Sequence, residues 1–351
     1  MKKAISVVLA LVFLFCVVGC SQVSSGATRT IIDSVGDEVK IPVEVNTVIN
    51  LSAYGSQVIV GLGLGDYLVG ANNETVESPW IIEMYPRIEE ISIYENETSA
   101  EVLLATNADV VFVEDAEYAR TLRSKGVPAV NFSYYTIDEM KQTIAMLGEI
   151  LGGDAAEKCI QYIEYLDANI ALVAESLDGT LPQKETLYYI NGVSNKGLYK
   201  TTGNGSTNCA CAELSYTIFA TASLIESPAN RVDSEAILAV NPENIIIGGV
   251  YQHVLYDELL STLEWSNNSA VQNGHVFKVP MGISAWNRYG IEIALMIPWT
   301  SAVVYPEYFE YDVHQATKDF YFTFAGYELS DLQVQYILEG LTPSGEKEIP
   351  N

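Results

Sequence analysis

Two segments of the chain are copies of one helix-to-strand unit. "EVLLATNADVVFV" spans 101–113 and "EAILAVNPENIII" spans 235–247, an offset of 134 residues. Each opens on a glutamate and places Leu-Ala at Leu104/Ala105 and Leu238/Ala239. Each then reaches an asparagine, Asn107 or Asn241, and closes on an apolar, β-branched run. A helix that feeds a buried strand is the building unit of a parallel α/β sheet. Its repetition so far along the chain implies two lobes of the same kind. At 351 residues each lobe can have its own core.

The intervening sequence fills in both lobes. "TIIDSVGDEVKIPV" alternates like a hairpin turning at Gly36-Asp37. Four short apolar strands follow, "TVINLS" (47–52), "EEISI" (89–93), "ADVVFV" (108–113) and "VPAVNF" (127–132). Helical stretches separate them, so residues 31–153 read as an α/β lobe with a mainly parallel sheet. Thr136 with Glu139, and Asp154 with Glu157, have the spacing of capping boxes, and Gly152-Gly153 separates the two helices they open. The second helix, 154–178, would be roughly 35 Å long at 1.5 Å per residue, enough to join two lobes. The second lobe, 179–351, carries strands at "TLYYING" (186–192), "NIIIGG" (244–249) and "HVFKVP" (275–280), then a helix over 291–305. Its tail, 306–351, is rich in aromatic residues and ends in a helical stretch, "LSDLQVQYILEG". The expected fold class is therefore α/β, two lobes joined by one long α-helix.

The N-terminus has a different character. "MKK" is a positive n-region, "AISVVLALVFLFCV" an apolar h-region too short to span a membrane, and "VVGC" ends at Cys20. That tetrapeptide resembles a prokaryotic lipobox. Residues 1–19 are thus expected to be a signal peptide, Cys20 the lipidated mature N-terminus, and 20–30 a tether. The body would be held at the membrane on its extracytoplasmic face, at the cell surface or in the periplasm. A net charge of −27 argues against a nucleic-acid partner, since phosphate binding wants a basic surface.

Catalytic signatures are lacking. "GLGLGD" at 61–66 puts Asp66 where a dinucleotide fingerprint has glycine, and there is no P-loop, HExxH or GxSxG. His253, His275 and His314 lack metal-ligand spacing, and "CAC" at 209–211 is weak evidence of a site. The chain reads as a binding protein and not an enzyme, without an intrinsic cofactor or metal. Open parallel sheets take ligands beyond the carboxyl ends of their strands. Those ends carry Tyr54, Tyr94, Glu95, Glu114, Tyr134, Tyr135, Tyr251, Trp286 and Arg288 in a chain with 22 tyrosines. Aromatic walls with a few polar anchors suit a large, partly apolar ligand.

The order of these motifs resembles the iron-complex, haem and cobalamin class of ABC-transporter substrate-binding lipoproteins. "TIIDSVGDEVKIPVEVNTVINL" is similar to its opening strand-turn-strand, and "GLGLGDYLVGA" to the end of its first helix. The two repeated units and "AVQNGHVFKVPMGISAWNRYGIEIAL" resemble its paired helix-strand units and terminal pocket loop. The resemblance covers about residues 29–309. It implies a ligand in the cleft between lobes, here a metal chelate such as an iron–siderophore, haem or corrinoid. It also implies delivery to a permease dimer with its ATPase subunits, with Glu101 and Glu235 docking on permease arginines. The residues themselves leave a plainer role open, because Ser99 and Asp233 read as N-caps and a first-turn glutamate is favoured by the helix dipole. An oxyanion such as molybdate would need a compact site of backbone N–H groups and cations. A surface adhesin or sensor on the same fold is the third alternative.

Overall fold

The computed structural model describes residues 26–52, 54–192, 194, 197–227, 229–288 and 290–347. The expected signal peptide, residues 1–19, and Cys20 lie outside the described residues. The chain opens with β1 (Thr28–Ile32) and β2 (Glu38–Pro42), an antiparallel hairpin whose first strand begins inside the segment read as tether. The N-terminal lobe then runs β3 (Val48–Asn50), α1 (Gly55–Gly61), β4 (Leu68–Ala71), α2 (Asn73–Val76) and α3 (Pro79–Met84). It continues through β5 (Ser92–Ile93), α4 (Ala100–Thr106), β6 (Val110–Val113), α5 (Ala116–Ser124) and β7 (Ala129–Asn131). These strands form a five-stranded parallel sheet in the order β5-β4-β3-β6-β7. The sequence pattern shows four of them. It misses β4, because "YLVGA" directly follows the first helix and a short 3-10 turn at Gly65–Tyr67.

Helix α6 (Ile137–Leu151) leads into α7 (Gly153–Leu177), the 25-residue helix between the lobes. The capping box expected at Thr136 and Glu139 is present. The one expected at Asp154 is not. The N-cap is Gly152, whose φ of 70° lies in the left-handed region, so no side chain caps α7. The second lobe comprises β8 (Thr186–Asn191), α8 (Thr207–Leu214), β9 (Ile218–Phe219), α9 (Ser234–Val240), β10 (Asn244–Gly248), α10 (Gln252–Ser261), α11 (Ser269–Asn273) and β11 (Val276–Lys278). Its strands make a four-stranded parallel sheet ordered β11-β10-β8-β9. Helix α12 (Ile293–Val304), α13 (Val313–Phe320) and α14 (Asp331–Glu339) complete the chain. Among the described residues no helix is long and apolar enough to cross a membrane.

Strand alternation explains the layering. Val110 and Phe112 of β6 enter the largest core cluster, whereas Val111 and Val113 enter a separate one under α4 and α5. In β10, Ile246 joins the large core, and Ile245 and Ile247 face a second cluster with Trp265. The large core continues from one lobe to the other through Tyr162, Leu166 and Val173 of α7. Polar contacts reinforce it. Tyr162 Oη donates to the Ile291 carbonyl at 2.9 Å, and Asn169 Nδ2 donates to the Ala294 carbonyl at 2.9 Å. Lys158 Nζ reaches back to the Leu62 carbonyl at 3.2 Å, so the one helix is tied to both lobes.

Candidate functional site

In the first sheet the strand order reverses at β3 and β6, and in the second at β8 and β10. Ligands of open α/β sheets bind beyond the strand ends at such reversals. A cavity of about 450 Å³ lies there, between the lobes. The N-terminal lobe contributes Gln57 of α1, Glu74 of α2, and Glu77 to Trp80 at the start of α3. The C-terminal lobe contributes Gly249 and Val250 after β10, the loop Met281 to Ala285, and Arg288. Gly340, Leu341 and Thr342, beyond α14, form a third side.

Among the described lining residues Arg288 is the only basic one, and the acidic pair, Glu74 and Glu77, is exposed on the opposite lobe. Gln57 Oε1, Asn287 Oδ1 and Tyr189 Oη, buried near this wall, have no partner among the described residues. The last two crowd Gly248, where a Cβ would collide with the Tyr189 hydroxyl and come within 2.9 Å of Asn287 Oδ1. Burial pushes the Tyr189 hydroxyl far above its ordinary pKa, and the nearby Arg288 guanidinium opposes that shift. Buried polar atoms without a protein partner are groups that a solute can satisfy.

The loop that carries Arg288 is held from behind by a buried carboxylate. Glu292 is fully buried and accepts from Ser284 N at 2.9 Å, Ser284 Oγ at 3.0 Å and Tyr321 Oη at 3.1 Å. Burial raises its pKa, and these hydrogen bonds partly offset the rise. Gly282 and Gly290 keep the loop close to this group, since a Cβ at either would collide with Tyr321 Oη or Ser284 Oγ respectively.

Of the residues expected around a ligand from the sequence, the cavity is lined by Arg288. Trp286, two positions earlier, is 0 % exposed and belongs to the core, so it presents no face to the cavity. The ring of Tyr94 packs against Gly70 and the outer cluster of its lobe. Tyr251 packs on the outer cluster of the second lobe. Tyr54 is the partly buried N-cap of α1, Glu95 is an exposed turn residue, and the Glu114 carbonyl accepts from Asn131 Nδ2 at 2.7 Å. Tyr134 is buried and Tyr135 is 66 % exposed. Trp80 is the one aromatic residue among the described lining residues, and the rest of the wall is glycine, aliphatic and hydroxyl residues with Gln57, Arg288 and two glutamates. Sequence reading passed over Gln57, which lies in the first turn of α1, the helix that follows β3, and over the 340–342 segment, whose place in the cavity no local pattern signals.

The expected docking glutamates occupy matching places. Ser99 Oγ accepts from Val102 N at 3.4 Å and Asp233 Oδ1 from Ala236 N at 3.0 Å, capping α4 and α9. Glu101 and Glu235 stand exposed in the first turns. Because each helix runs back before feeding β6 or β10, both first turns lie at the carboxyl edges of the sheets, the edges that border the cavity. The Glu101 carboxyl is held below its ordinary pKa, first by its own backbone N–H and then by the Ser99 hydroxyl. The three described cysteines, Cys159, Cys209 and Cys211, are free and buried. Among the described residues no group of three or more His, Cys, Asp or Glu side chains is placed to hold a metal ion.

Comparison with known proteins agrees with this architecture. No protein of curated function matches the chain in sequence. A periplasmic solute-binding protein from Veillonella parvula superposes with a TM-score of 0.78 at 26% identity, over 91% of this chain and 99% of that one. The molybdate periplasmic binding protein of a Haemophilus influenzae ABC transporter gives 0.73 at 22% identity, covering 86% and 99%. The Helicobacter pylori protein CeuE, in a complex with nickel and histidine, gives 0.69 at 19% identity, covering 89% and 99%. The last two identities speak to the fold alone. The sequence model of the family described as "Periplasmic binding protein" matches residues 91–281, more than half the chain and from the last strands of one sheet through the whole of the other. Two parallel sheets, one joining helix and a cavity where both strand orders reverse are thus the features of a member of the periplasmic binding protein family.

Proposed function

We propose that this protein is the extracytoplasmic solute-binding protein of an ABC importer, and that its solute is a compact, charged metal chelate. The observation that carries the solute class is the division of charge across the cavity, with Arg288 on one lobe and Glu74 and Glu77 on the other. A chelate pairs a metal-borne positive charge with anionic ligand groups, so it offers a counterpart to both signs. A volume of about 450 Å³ is toward the small end of ligand pockets, which run from about 300 to 1,000 Å³, and favours a small chelate over haem or a corrinoid. The nickel and histidine of the H. pylori neighbour are a solute of that size class.

A second reading is favoured by one observation. Arg288 beside the glycine-rich end of β10 is the kind of cation-and-backbone site an oxyanion takes, and the H. influenzae neighbour is bound to molybdate. Glu74 and Glu77 count against it by repulsion. The partner in either case is a permease dimer with its ATPase subunits, met by Glu101 and Glu235, with Cys20 carrying the lipid that keeps the protein at the membrane.

The test is calorimetric titration of the purified protein with nickel–histidine, small ferric siderophores, haem, cobalamin and sodium molybdate, with absorbance spectra alongside. The reading expects a small chelate to bind and haem and cobalamin not to. Tight binding of a macrocycle, or of molybdate with no chelate, would overturn the solute class.

A further inference from the structure

The third side of the cavity comes from the chain's own tail, far outside the stretch that matches the family model, 91–281. Three hydrogen bonds seat it. Trp80 Nε1 donates to the Leu341 carbonyl at 2.9 Å, Met281 N donates to the Ile337 carbonyl at 2.9 Å, and His253 Nε2 lies 2.9 Å from the Gly340 carbonyl. Trp80 belongs to the N-terminal lobe, whereas Met281 and His253 belong to the C-terminal lobe. Upstream, Glu83 of the N-terminal lobe accepts from Tyr327 Oη at 2.6 Å and Gln333 Nε2 at 3.0 Å. Gly340 is in the left-handed region at φ +68°, and a Cβ there would collide with Gln252 Nε2. Thr342 Oγ1 accepts from Glu346 N at 3.1 Å, which turns the chain back at the cavity edge.

We infer that residues 337–342 are a latched wall of the solute site, closing the cavity across both lobes and setting how long a solute stays. The inference rests on the reading of this cavity as the solute site. A solute held against Gln57 and Arg288 is covered on the third side by Gly340 to Thr342, so its exit requires either the lobes to part or the tail to lift. Parting the lobes with the tail left on the C-terminal lobe breaks the Trp80–Leu341 bond and the two Glu83 bonds, while lifting residues 337–342 breaks the contacts with Trp80, Met281 and His253. Each net hydrogen bond contributes about 0.5–1.5 kcal/mol, so losing one should change the opening equilibrium by about threefold to tenfold. The tail is packed as well as latched, since Val334 and Ile337 are fully buried members of the core that both lobes share, and Gly340 to Thr342 are the part that faces the cavity.

Two measurements on the full chain decide the matter. Hydrogen exchange of amides 337–342 and Met281 is compared among wild type, Trp80→Phe, which keeps a ring and loses the donor, and Gly340→Ala. The inference expects about threefold to tenfold faster exchange there in both variants, with β3 and β10 unchanged. Unchanged tail exchange in both would overturn it. Dissociation of nickel–histidine or molybdate, whichever binds wild type, is then followed by stopped flow and should be faster in Trp80→Phe by a similar factor. A tail that opens without any change in dissociation would also overturn the inference. If neither probe binds wild type, those two solutes are excluded, and the exchange data alone decide whether the tail is latched.

Discussion

Arg288 and Glu292 divide the work at the pocket loop, one offering charge and the other holding shape. Replacing Arg288 with Ala should weaken the bound solute by about tenfold to a hundredfold or more, since hydrogen bonds to charged groups contribute about 1.5–3 kcal/mol. Arg288→Lys should recover only part of the loss, because an ammonium lacks the planar fork. Calorimetry on both variants reads this directly. Glu292 allows a sharper test. In Glu292→Gln, the amide oxygen can still accept from Ser284 N and Tyr321 Oη, and the amide nitrogen can donate to Ser284 Oγ. Burial raises the folded-state pKa of Glu292 above its unfolded value of 4.5, so the folded state binds the extra proton. Wild-type stability should therefore fall as pH rises from about 4.5 through the folded pKa, and Glu292→Gln should lose that slope. Thermal denaturation across this range, with Glu292→Ala as the destabilised control, checks it. The sequence marks Arg288 by its place in the pocket loop, but Trp286 beside it reads as a ligand platform and is core. A one-dimensional pattern locates a strand end. It does not say which of two neighbours points inward when the chain is looping back on itself.

At the scale of elements, the duplicated unit now has a reason for each of its fixed letters. The asparagines are the left-handed C-caps of α4 and α9, at φ 56° for Asn107 and φ 53° for Asn241. That conformation costs most other L-residues about 1–2 kcal/mol. Asn107→Gly should be tolerated, and Asn107→Val should destabilise by about that amount in denaturant titration. Asn241→Gly should cost more than Asn107→Gly, because Asn241 Oδ1 also accepts from Ser269 N at 2.9 Å and Asn268 Nδ2 at 3.0 Å. The leading glutamates fit their first helical turns, where the dipole favours a carboxylate, and the proposal adds a permease partner to that local role. Exposed ion pairs contribute about 0–1 kcal/mol singly, but more when an interface closes over them. Glu101→Ala with Glu235→Ala should abolish uptake in cells and leave solute affinity unchanged, and lysine at both positions should be worse. Normal transport by the double variant would return both to ordinary helix starts. The repeat was legible because helix and strand periodicities differ and the caps are sequence-local. β4 and β9 were not, being short strands of 4 and 2 residues whose pairing, not their pattern, makes them strands.

For the whole molecule, α7 and the shared core decide what motion is available. A helix of 25 residues tied to Leu62 on one side and to Ile291 and Ala294 on the other leaves no flexible hinge strand between the lobes. Solute capture should then involve small rearrangements of the 281–288 loop and the 337–342 wall, within lobes that keep their relation. The two-lobed plan and its joining helix were readable from the repeat and from the long helical stretch after Gly152-Gly153. The cavity's composition was not, because its walls meet from residues as distant as Gln57, Arg288 and Leu341. The most direct test of the account is a crystal structure of the protein with the solute that titration identifies. That solute should lie in the inter-lobe cavity, in contact with Arg288 and enclosed by 340–342, with the lobes superposing on the unliganded form. A solute bound elsewhere, or in the cleft with Arg288 turned away, would contradict it.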